Sequence, residues 1–272
     1  IGLGHEVAGE VVKIGAKVTK FKVGDKVLIE PGVPDDTCEY CRTGRYNICP
    51  GVDFMATQPN YKGALTQYMT HPEEWTYHIP EGMTTMEGAL VEPAAVGMHA
   101  AVLGGAQPGK SIVILGGGTI GLMVLQACIS LGATDITVVD VIEKRLELAK
   151  KLGAARVING KEEDTVAVLR SEEMYGDHGV DLVFEAAGAV FTAKQAVQIV
   201  SRGGKIMMVG TQSKPVPIDF LKINREVTIQ TSFRYCNNFP QTIEAISSGR
   251  FNVKDMVTNI YDYEDVQKAF EE

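Results

Sequence analysis

A glycine-rich turn between two apolar segments limits the folds open to this chain more than any other feature. The segment SIVIL (111–115) is almost wholly apolar, which is typical of a strand buried on both faces of a parallel sheet. Gly116, Gly118 and Gly121 follow in G-x-G-x-x-G spacing, and an apolar helical segment continues to Gly132. This order predicts the strand–turn–helix unit of a dinucleotide-binding domain.

The three glycines and one aspartate suit the pyrophosphate and the ribose of NAD. Gly116 permits the tight turn, Gly118 lets the backbone approach a pyrophosphate, and Gly121 lets the helix pack closely on its strand. Asp140 ends the next apolar segment, DITVVD, where a carboxylate accepts hydrogen bonds from ribose hydroxyls and repels a 2′-phosphate. We therefore predict NAD rather than NADP. Arg145 could instead accept that phosphate, and the alternative to the whole motif is a plain turn beside a surface aspartate.

Strand and helix patterns alternate from about residue 94 to residue 233. This alternation predicts an α/β fold with a doubly wound parallel sheet of the Rossmann type. Before residue 93 the chain has short alternating runs and turns, and it is predicted to be mostly β. After residue 233 we expect a helix near 240–248, a short strand near 257–260 and a helix from Tyr263.

The charge balance and the uncharged segments narrow the class of partner. A formal net charge of −8 argues against a nucleic-acid surface, which is normally basic. The longest uncharged run, Ser111–Thr134, is broken by the glycine turn into a strand and a helix, so we expect no membrane span. No charged leader or apolar signal segment precedes the first motif, and we expect a cytoplasmic protein.

Three of the five cysteines are clustered, which is typical of a metal site in a protein without a secretion signal. Asp35, Cys38, Cys41 and Cys49 are spaced D-x-x-C-x-x-C-x7-C, and three thiolates with one carboxylate could close a tetrahedral structural zinc site. The alternative is that the three cysteines are plain buried thiols. Cys128 lies on the apolar helix, which predicts core packing.

His5 and Glu6 stand side by side near the start of the chain. An imidazole and a carboxylate are both zinc ligands, and a catalytic zinc uses three protein ligands and one open position. Taken alone, the dipeptide is better explained as a surface turn. Without further context Glu92 is likewise a solvated loop glutamate, and Arg234-Tyr235 is an ordinary basic–aromatic pair.

Six motifs occur in one order along the chain: GHE, the cysteine-rich loop, ALVEPAAVGMHA, GGGTIG, Asp140 and SFRYCN. This order resembles the medium-chain zinc alcohol dehydrogenase family. The stretches EPGVP, FMATQPNYKGALTQY, VEP and REVTIQTSFRYCN are most like its sorbitol (L-iditol, xylitol) dehydrogenases. The resemblance extends over essentially all 272 residues. It implies a GroES-like catalytic domain interrupted by a Rossmann domain, with the active site between them.

The resemblance also implies domain limits and assembly. Residues 1–93 would form the first part of the catalytic domain, 94–233 the Rossmann NAD-binding domain, and 234–272 the return segment of the catalytic domain. The family's first catalytic zinc ligand is a cysteine upstream of GHE, so we interpret the 272 residues as part of a longer enzyme. In this family the exposed edge of the last Rossmann strand pairs across a two-fold axis, so we expect a homodimer or homotetramer.

Individual residues receive roles from the resemblance. His5 and Glu6 match catalytic zinc positions, and Glu92 matches the carboxylate that holds the zinc-bound water or joins the zinc. Arg234 and Tyr235 match substrate-binding positions. By motif or by resemblance, the cofactor-contacting positions are Gly116, Gly118, Ile120, Gly121, Asp140, Arg145, Val209, Gly210, Ser232, Phe233 and Arg234. Asp35 stands where members with the zinc loop usually have cysteine, and a carboxylate binds zinc more weakly there than a thiolate.

We therefore expect zinc- and NAD-dependent oxidation of a polyol. Zinc would act as a Lewis acid on the substrate hydroxyl, hydride would pass to NAD, and Glu92 would move the proton through water. Arg234 and Tyr235 would orient a second hydroxyl. Two alternatives stay open: a zinc dehydrogenase for 2,3-butanediol, threonine or a sugar, and a dinucleotide-binding protein without enzymatic activity.

Overall fold

The computed structural model describes residues 2–58 and 62–271. The strands are β1 (Ala8–Glu10), β2 (Lys26–Ile29), β3 (Gly32–Val33), β4 (Asp53–Phe54), β5 (Thr76–His78), β6 (Ser111–Leu115), β7 (Asp135–Asp140), β8 (Arg156–Asn159), β9 (Val180–Glu185), β10 (Val200–Met208) and β11 (Thr228–Thr231). The α-helices are α1 (Glu39–Arg42), α2 (Thr85–Ala89), α3 (Val91–Gly104), α4 (Thr119–Ser130), α5 (Glu143–Lys151), α6 (Thr165–Leu169), α7 (Val190–Ile199), α8 (Phe239–Ser247) and α9 (Val266–Glu271).

The larger sheet is entirely parallel, with the strand order β11-β10-β9-β6-β7-β8. Ile112, Val113 and Ile114 of β6 are fully buried, because the helices that connect successive strands cover both faces of the sheet. The chain order reverses between β6 and β9. At such a switch point the carboxyl ends of the strands leave a crevice for a ligand. The predicted doubly wound α/β fold is confirmed.

The strands before residue 90 are short and antiparallel, and loops and the helices α1 and α2 make up the rest of this part. β1, β2 and β5 form one sheet, and β3 pairs with β4. The side chain of Leu28 in β2 is fully buried and anchors the first of these sheets. The strands are shorter than the alternating runs predicted. Beyond Glu10 the backbone of Val11 bonds to Gly24 and Asp25 at a turn, and β1 does not continue there.

Helix α3 joins the two parts of the molecule. It crosses the predicted domain boundary at residues 93 and 94, and it packs on α4 and α8. One apolar cluster extends from Leu28 of β2 through Met98 of α3 to Phe184 of β9 and Phe239 of α8. The two parts therefore share a core. The boundary itself stays a prediction.

The segment after the parallel sheet matches the prediction in part. Helix α8 lies close to the predicted position, and α9 follows a 3-10 turn at Tyr263–Asp265. The predicted strand near 257–260 is wrong: within the described residues this segment pairs with no strand, and Ile260 is 80% exposed. An apolar run becomes a strand only where a sheet edge accepts it. No helix in residues 2–58 or 62–271 is both long and apolar enough to cross a membrane.

Candidate active site

The glycine turn after β6 has the shape that a pyrophosphate requires. Gly116 has a φ of 108°, and a β-carbon on it would lie 2.8 Å from the nitrogen of Ala187, so only glycine fits. A β-carbon on Gly121 would overlap the Gly116 oxygen. Around Gly118, by contrast, no atom would lie within 4 Å of such a carbon. Helix α4 begins directly after Gly118, with Ile120 in its first turn, so its free N–H groups border this open face.

Asp140 is fixed at the rim of this turn. Its Oδ2 accepts the N–H of Gly117 at 2.7 Å, and its Oδ1 accepts those of Val141 and Ile142 at 2.8 and 2.9 Å. The half-exposed Arg145 guanidinium is 3.5 Å from the same carboxyl group. The structure thus places both residues where the sequence predicted an adenosine ribose. Their roles in choosing the cofactor stay a prediction.

Four of the predicted cofactor-contacting residues lie just beyond the carboxyl ends of β10 and β11. Val209 and Gly210 donate backbone N–H groups to the Glu185 carbonyl at 2.9 and 2.8 Å. Ser232 follows β11, and its Oγ is buried without a hydrogen-bond partner among the described residues. A polar atom left unpaired at the edge of the crevice suits a ligand with amide or hydroxyl groups. The glycine turn and these strand ends together fit a nicotinamide dinucleotide.

His5, Glu6 and Glu92 meet at one point. Each offers a ligand atom, and the three atoms lie within 4.8 Å of one another. The distance from His5 Nε2 to Glu92 Oε1 is 3.9 Å. One imidazole nitrogen and two carboxylate oxygens are ligands that zinc accepts. The donor set therefore fits zinc, and the part of each residue in holding it stays a prediction.

Burial governs the ionisation of this cluster. Glu92 lies in the first turn of α3 with 5% of its surface exposed, and burial raises its pKa to about 8 against the opposing effect of the Tyr235 hydroxyl. Burial also raises the pKa of Glu6, and burial and the charge of Arg234 lower the pKa of His5. Neutral imidazole is the form that binds metals, and a cation here would offset the cost of burying the carboxylates.

Arg234 is held beside the cluster by aromatic rings. Its φ of 52° is uncommon for a residue other than glycine, and such conformations persist where the surroundings fix them. Its guanidinium lies 4.0 Å from the centre of the Phe54 ring and 4.7 Å from that of Phe233. The Phe54 ring also meets the His5 ring edge-on at 5.4 Å. Phe54, which sequence reasoning missed, thus links a predicted zinc ligand to a predicted substrate ligand.

Tyr235 forms a wall of the site. Its side chain is 2% exposed, and its ring packs edge-on against Phe239 at 5.0 Å. Its hydroxyl makes no hydrogen bond of normal geometry within the described residues, yet burial and the neighbouring Glu92 raise the pKa of Tyr235. A buried hydroxyl without a partner suits a polar group in the crevice.

Glu30 is a second residue that sequence reasoning missed. It is fully buried, and its carboxyl group accepts hydrogen bonds from the hydroxyls of Tyr46 at 2.7 Å and Tyr77 at 2.9 Å. Burial raises its pKa to about 7. Its only signal in the sequence is a glutamate directly after an apolar strand, which a surface loop would also give.

The loop before β4 brings the four predicted structural ligands together. The ligand atoms of Asp35, Cys38, Cys41 and Cys49 lie within 4.8 Å of one another. Asp35 Oδ1 accepts the N–H of Cys38 at 2.9 Å and that of Thr37 at 2.8 Å, and these bonds hold the pKa of Asp35 well below its usual range. Three sulfurs and one ionised carboxylate fit a closed tetrahedral zinc site, whose occupancy stays a prediction.

The same loop contacts the turn that carries Arg234. Asn47 Nδ2 donates to the Phe233 carbonyl at 2.9 Å, and Asn237 Nδ2 donates to the Gly44 carbonyl at 2.9 Å. These contacts join residues that are 186 and 193 positions apart in the chain. The cysteine-rich loop therefore forms part of the frame around the candidate active site.

Comparisons with protein families and with curated proteins agree with this geometry. A model for zinc-binding dehydrogenases matches residues 119–248, and one for the alcohol dehydrogenase GroES-like domain matches residues 1–81. An uncharacterised zinc-type alcohol dehydrogenase-like protein of Escherichia coli is 66% identical over 272 residues, which is 100% of this chain and 78% of that protein. A sorbitol dehydrogenase of Bacillus subtilis is 42% identical over 272 residues, 99% of this chain and 76% of that protein.

Solved structures show the same fold. A crystal structure of an Escherichia coli oxidoreductase of unknown specificity has a TM-score of 0.98 at 66% identity, with 100% of this chain and 78% of that chain covered. A zinc-binding dehydrogenase of Sinorhizobium meliloti bound to NADP has a TM-score of 0.93 at 26% identity, covering 99% of this chain and 79% of that one.

The first prediction concerns the two candidate metal sites. Because the cysteine-rich loop shares no ligand with the cluster at His5, we expect His5→Ala to retain roughly one zinc per chain. Metal analysis of the purified protein measures this, with Cys38→Ser as the matched variant that should lose the loop metal instead. Zinc falling to zero in His5→Ala would mean that the loop binds none.

The second prediction concerns cofactor choice. Replacing Asp140 with Ser removes a negative charge that would oppose a 2′-phosphate, so the preference for NAD over NADP should fall roughly ten- to hundred-fold. Steady-state kinetics with both cofactors give the ratio of kcat/KM values. Arg145→Ala is the control, because it removes a guanidinium that could accept the 2′-phosphate and so should not lower the preference for NAD. A wild-type enzyme that already uses both cofactors equally well would contradict the role given to Asp140.

Proposed function

We propose a polyol as the substrate of this chain, which belongs to the zinc-type medium-chain alcohol dehydrogenase family. The enzyme oxidises a secondary hydroxyl of a sorbitol-, xylitol- or iditol-type polyol to the ketose and transfers the hydride to NAD. The position of Arg234 beside the cluster of His5, Glu6 and Glu92 carries this proposal. A simple alcohol offers only its reacting hydroxyl, whereas a polyol offers a second one to a charged donor. Similarity to the Bacillus subtilis sorbitol dehydrogenase supports the same substrate class.

In this proposal His5 and Glu6 would hold a zinc ion with Glu92 beside it, and the zinc would supply Lewis acidity that lowers the pKa of the substrate hydroxyl. His5 binds in its neutral form, since burial lowers its pKa. Burial favours the protonated form of Glu92 and a nearby cation favours its ionised form, and the ionised carboxylate would accept the departing proton, directly or through water. Arg234 and the Tyr235 hydroxyl hold a neighbouring substrate hydroxyl.

The Rossmann part of the chain orients the cofactor. The open face at Gly118 and the start of α4 receive the pyrophosphate. Asp140 binds the adenosine ribose and disfavours a 2′-phosphate, which selects NAD. The ends of β10 and β11, with Gly210 and Ser232, border the nicotinamide and bring it towards the zinc cluster.

We also infer a homo-oligomer. β11 forms one edge of the parallel sheet, and within residues 2–58 and 62–271 no strand pairs with its outer side. Pairing of two such edges across a two-fold axis would satisfy the backbone N–H and C=O groups there and give a homodimer, and two homodimers a homotetramer. Location in the cytoplasm stays a prediction.

The third prediction tests whether Arg234 binds the substrate. Losing a hydrogen bond from a charged donor costs about 1.5–3 kcal/mol, so Arg234→Ala should lower kcat/KM for a polyol roughly ten- to hundred-fold. Oxidation of 2-butanol, which has no second hydroxyl, should fall much less. A loss of NAD affinity would lower kcat/KM for both substrates equally, so it cancels in the ratio of the two kcat/KM values.

A panel of sorbitol, xylitol and 2-butanol assayed with NAD measures the effect. The matched control is Arg42→Ala, which removes an exposed arginine of α1 and should leave both activities unchanged. An equal loss for polyol and 2-butanol in Arg234→Ala would refute the substrate-binding role and leave Arg234 as a cofactor or structural residue.

The fourth prediction concerns assembly. Because the outer edge of β11 offers backbone N–H and C=O groups to another strand, we expect the protein to be a dimer or tetramer at micromolar concentration. Multi-angle light scattering gives the mass directly. A monomer at that concentration would contradict the proposed pairing of β11 edges.

A further inference from the structure

Glu185 ends β9 at the switch point of the sheet and is fully buried. Its Oε1 accepts the N–H groups of Ala187 at 3.1 Å and Gly188 at 3.0 Å, and the hydroxyl of Thr192 at 2.7 Å. Its Oε2 accepts Nε2 of Gln212 at 2.7 Å. All four partners are donors. One buried acid thus ties together the turn after β9, the first turn of α7 and the turn after β10.

The turns after β9 and β10 are in direct backbone contact. Gly188 has a φ of 66°, and a β-carbon on it would lie 2.7 Å from the Thr211 carbonyl oxygen. A β-carbon on Gly210 would overlap the Gly188 nitrogen and lie 2.9 Å from Glu185 Oε2. The two turns therefore cannot move independently, and a shift of either one displaces Gly210, which borders the proposed nicotinamide position.

The orientation of the Gln212 side chain depends on Glu185. A carboxylate only accepts hydrogen bonds, so the amide nitrogen of Gln212 must face it and the amide oxygen must point away. That oxygen is buried and has no partner within the described residues. Nothing else there fixes the amide, so loss of the bond to Glu185 would free the side chain that anchors the turn after β10.

We propose that Glu185 and Gln212 are positioning residues for the nicotinamide half of the cofactor. Their hydrogen bond holds the turns at 186–188 and 209–212 in the shape that receives the nicotinamide. The adenosine half is bound near Asp140, which none of these bonds reaches. The inference rests on the proposed function, since it requires a nicotinamide dinucleotide in the crevice.

The test exchanges donor and acceptor within the pair. Gln212→Glu places a second carboxylate against Glu185, and the repulsion should raise the Kd for NADH at least about tenfold. The Kd for ADP-ribose, which lacks the nicotinamide, should change less than about threefold. In the double variant Glu185→Gln/Gln212→Glu the amide again faces a carboxylate, so the NADH affinity should return to within about threefold of wild type. Isothermal titration calorimetry measures both ligands without turnover.

Gln241→Glu is the matched control, because it makes the same change of charge at an exposed position on α8 and should alter neither affinity. Should the double variant not fold, Gln212→Met removes the donor without adding charge and should still weaken NADH more than ADP-ribose. Equal weakening of both ligands by Gln212→Glu, or no recovery in a folded double variant, would overturn the inference. A wild-type protein that binds ADP-ribose but not NADH would instead refute the proposed function.

Discussion

Glu92 is buried in the first turn of α3, where burial and the nearby Glu6 and Glu30 raise its pKa. Several acids this close together are compatible with folding only if protonation, hydrogen bonds or a cation compensate them. The surrounding structure supplies such compensation. Two tyrosine hydroxyls satisfy Glu30, and the Arg234 guanidinium lies close enough to oppose the shift at Glu92. At His5, Glu6 and Glu92 part of the cost of burying negative charge is left uncompensated, and a zinc ion would compensate it.

Helix α3 determines how this charge cluster is related to the cofactor crevice. Its first turn carries Glu92, while Met98 two turns later lies in the apolar cluster that reaches Phe184 of the parallel sheet. Glu92 is therefore not carried on a domain that is independent of the parallel sheet. One helix, buried along most of its length, sets the position of this proposed metal-site residue relative to the cofactor crevice.

The sequence predicted the parallel sheet well, because strands buried on both faces give continuous apolar runs and the glycine turn marks the switch point. The grouping of Glu92 with the adjacent His5 and Glu6 followed only from the resemblance, since no spacing relates it to them. Glu30, Phe54 and Gln212 were missed for a physical reason, since each contacts partners that are distant in the chain. Glu185 was missed because a glutamate at the end of an apolar strand carries no local sign that it is buried. The strand near 257–260 failed because strand formation needs a neighbour, which a local pattern does not reveal.

The contact of Asn47 with Phe233 has a consequence for the order in which the molecule folds. It closes a loop of 186 residues, and in a flexible chain that closure costs about 5 kcal/mol of configurational entropy. Folding of residues 111–231 into the parallel sheet first removes most of the flexible links from that loop. The contact between Asn47 and Phe233 therefore costs less entropy once the parallel sheet is in place.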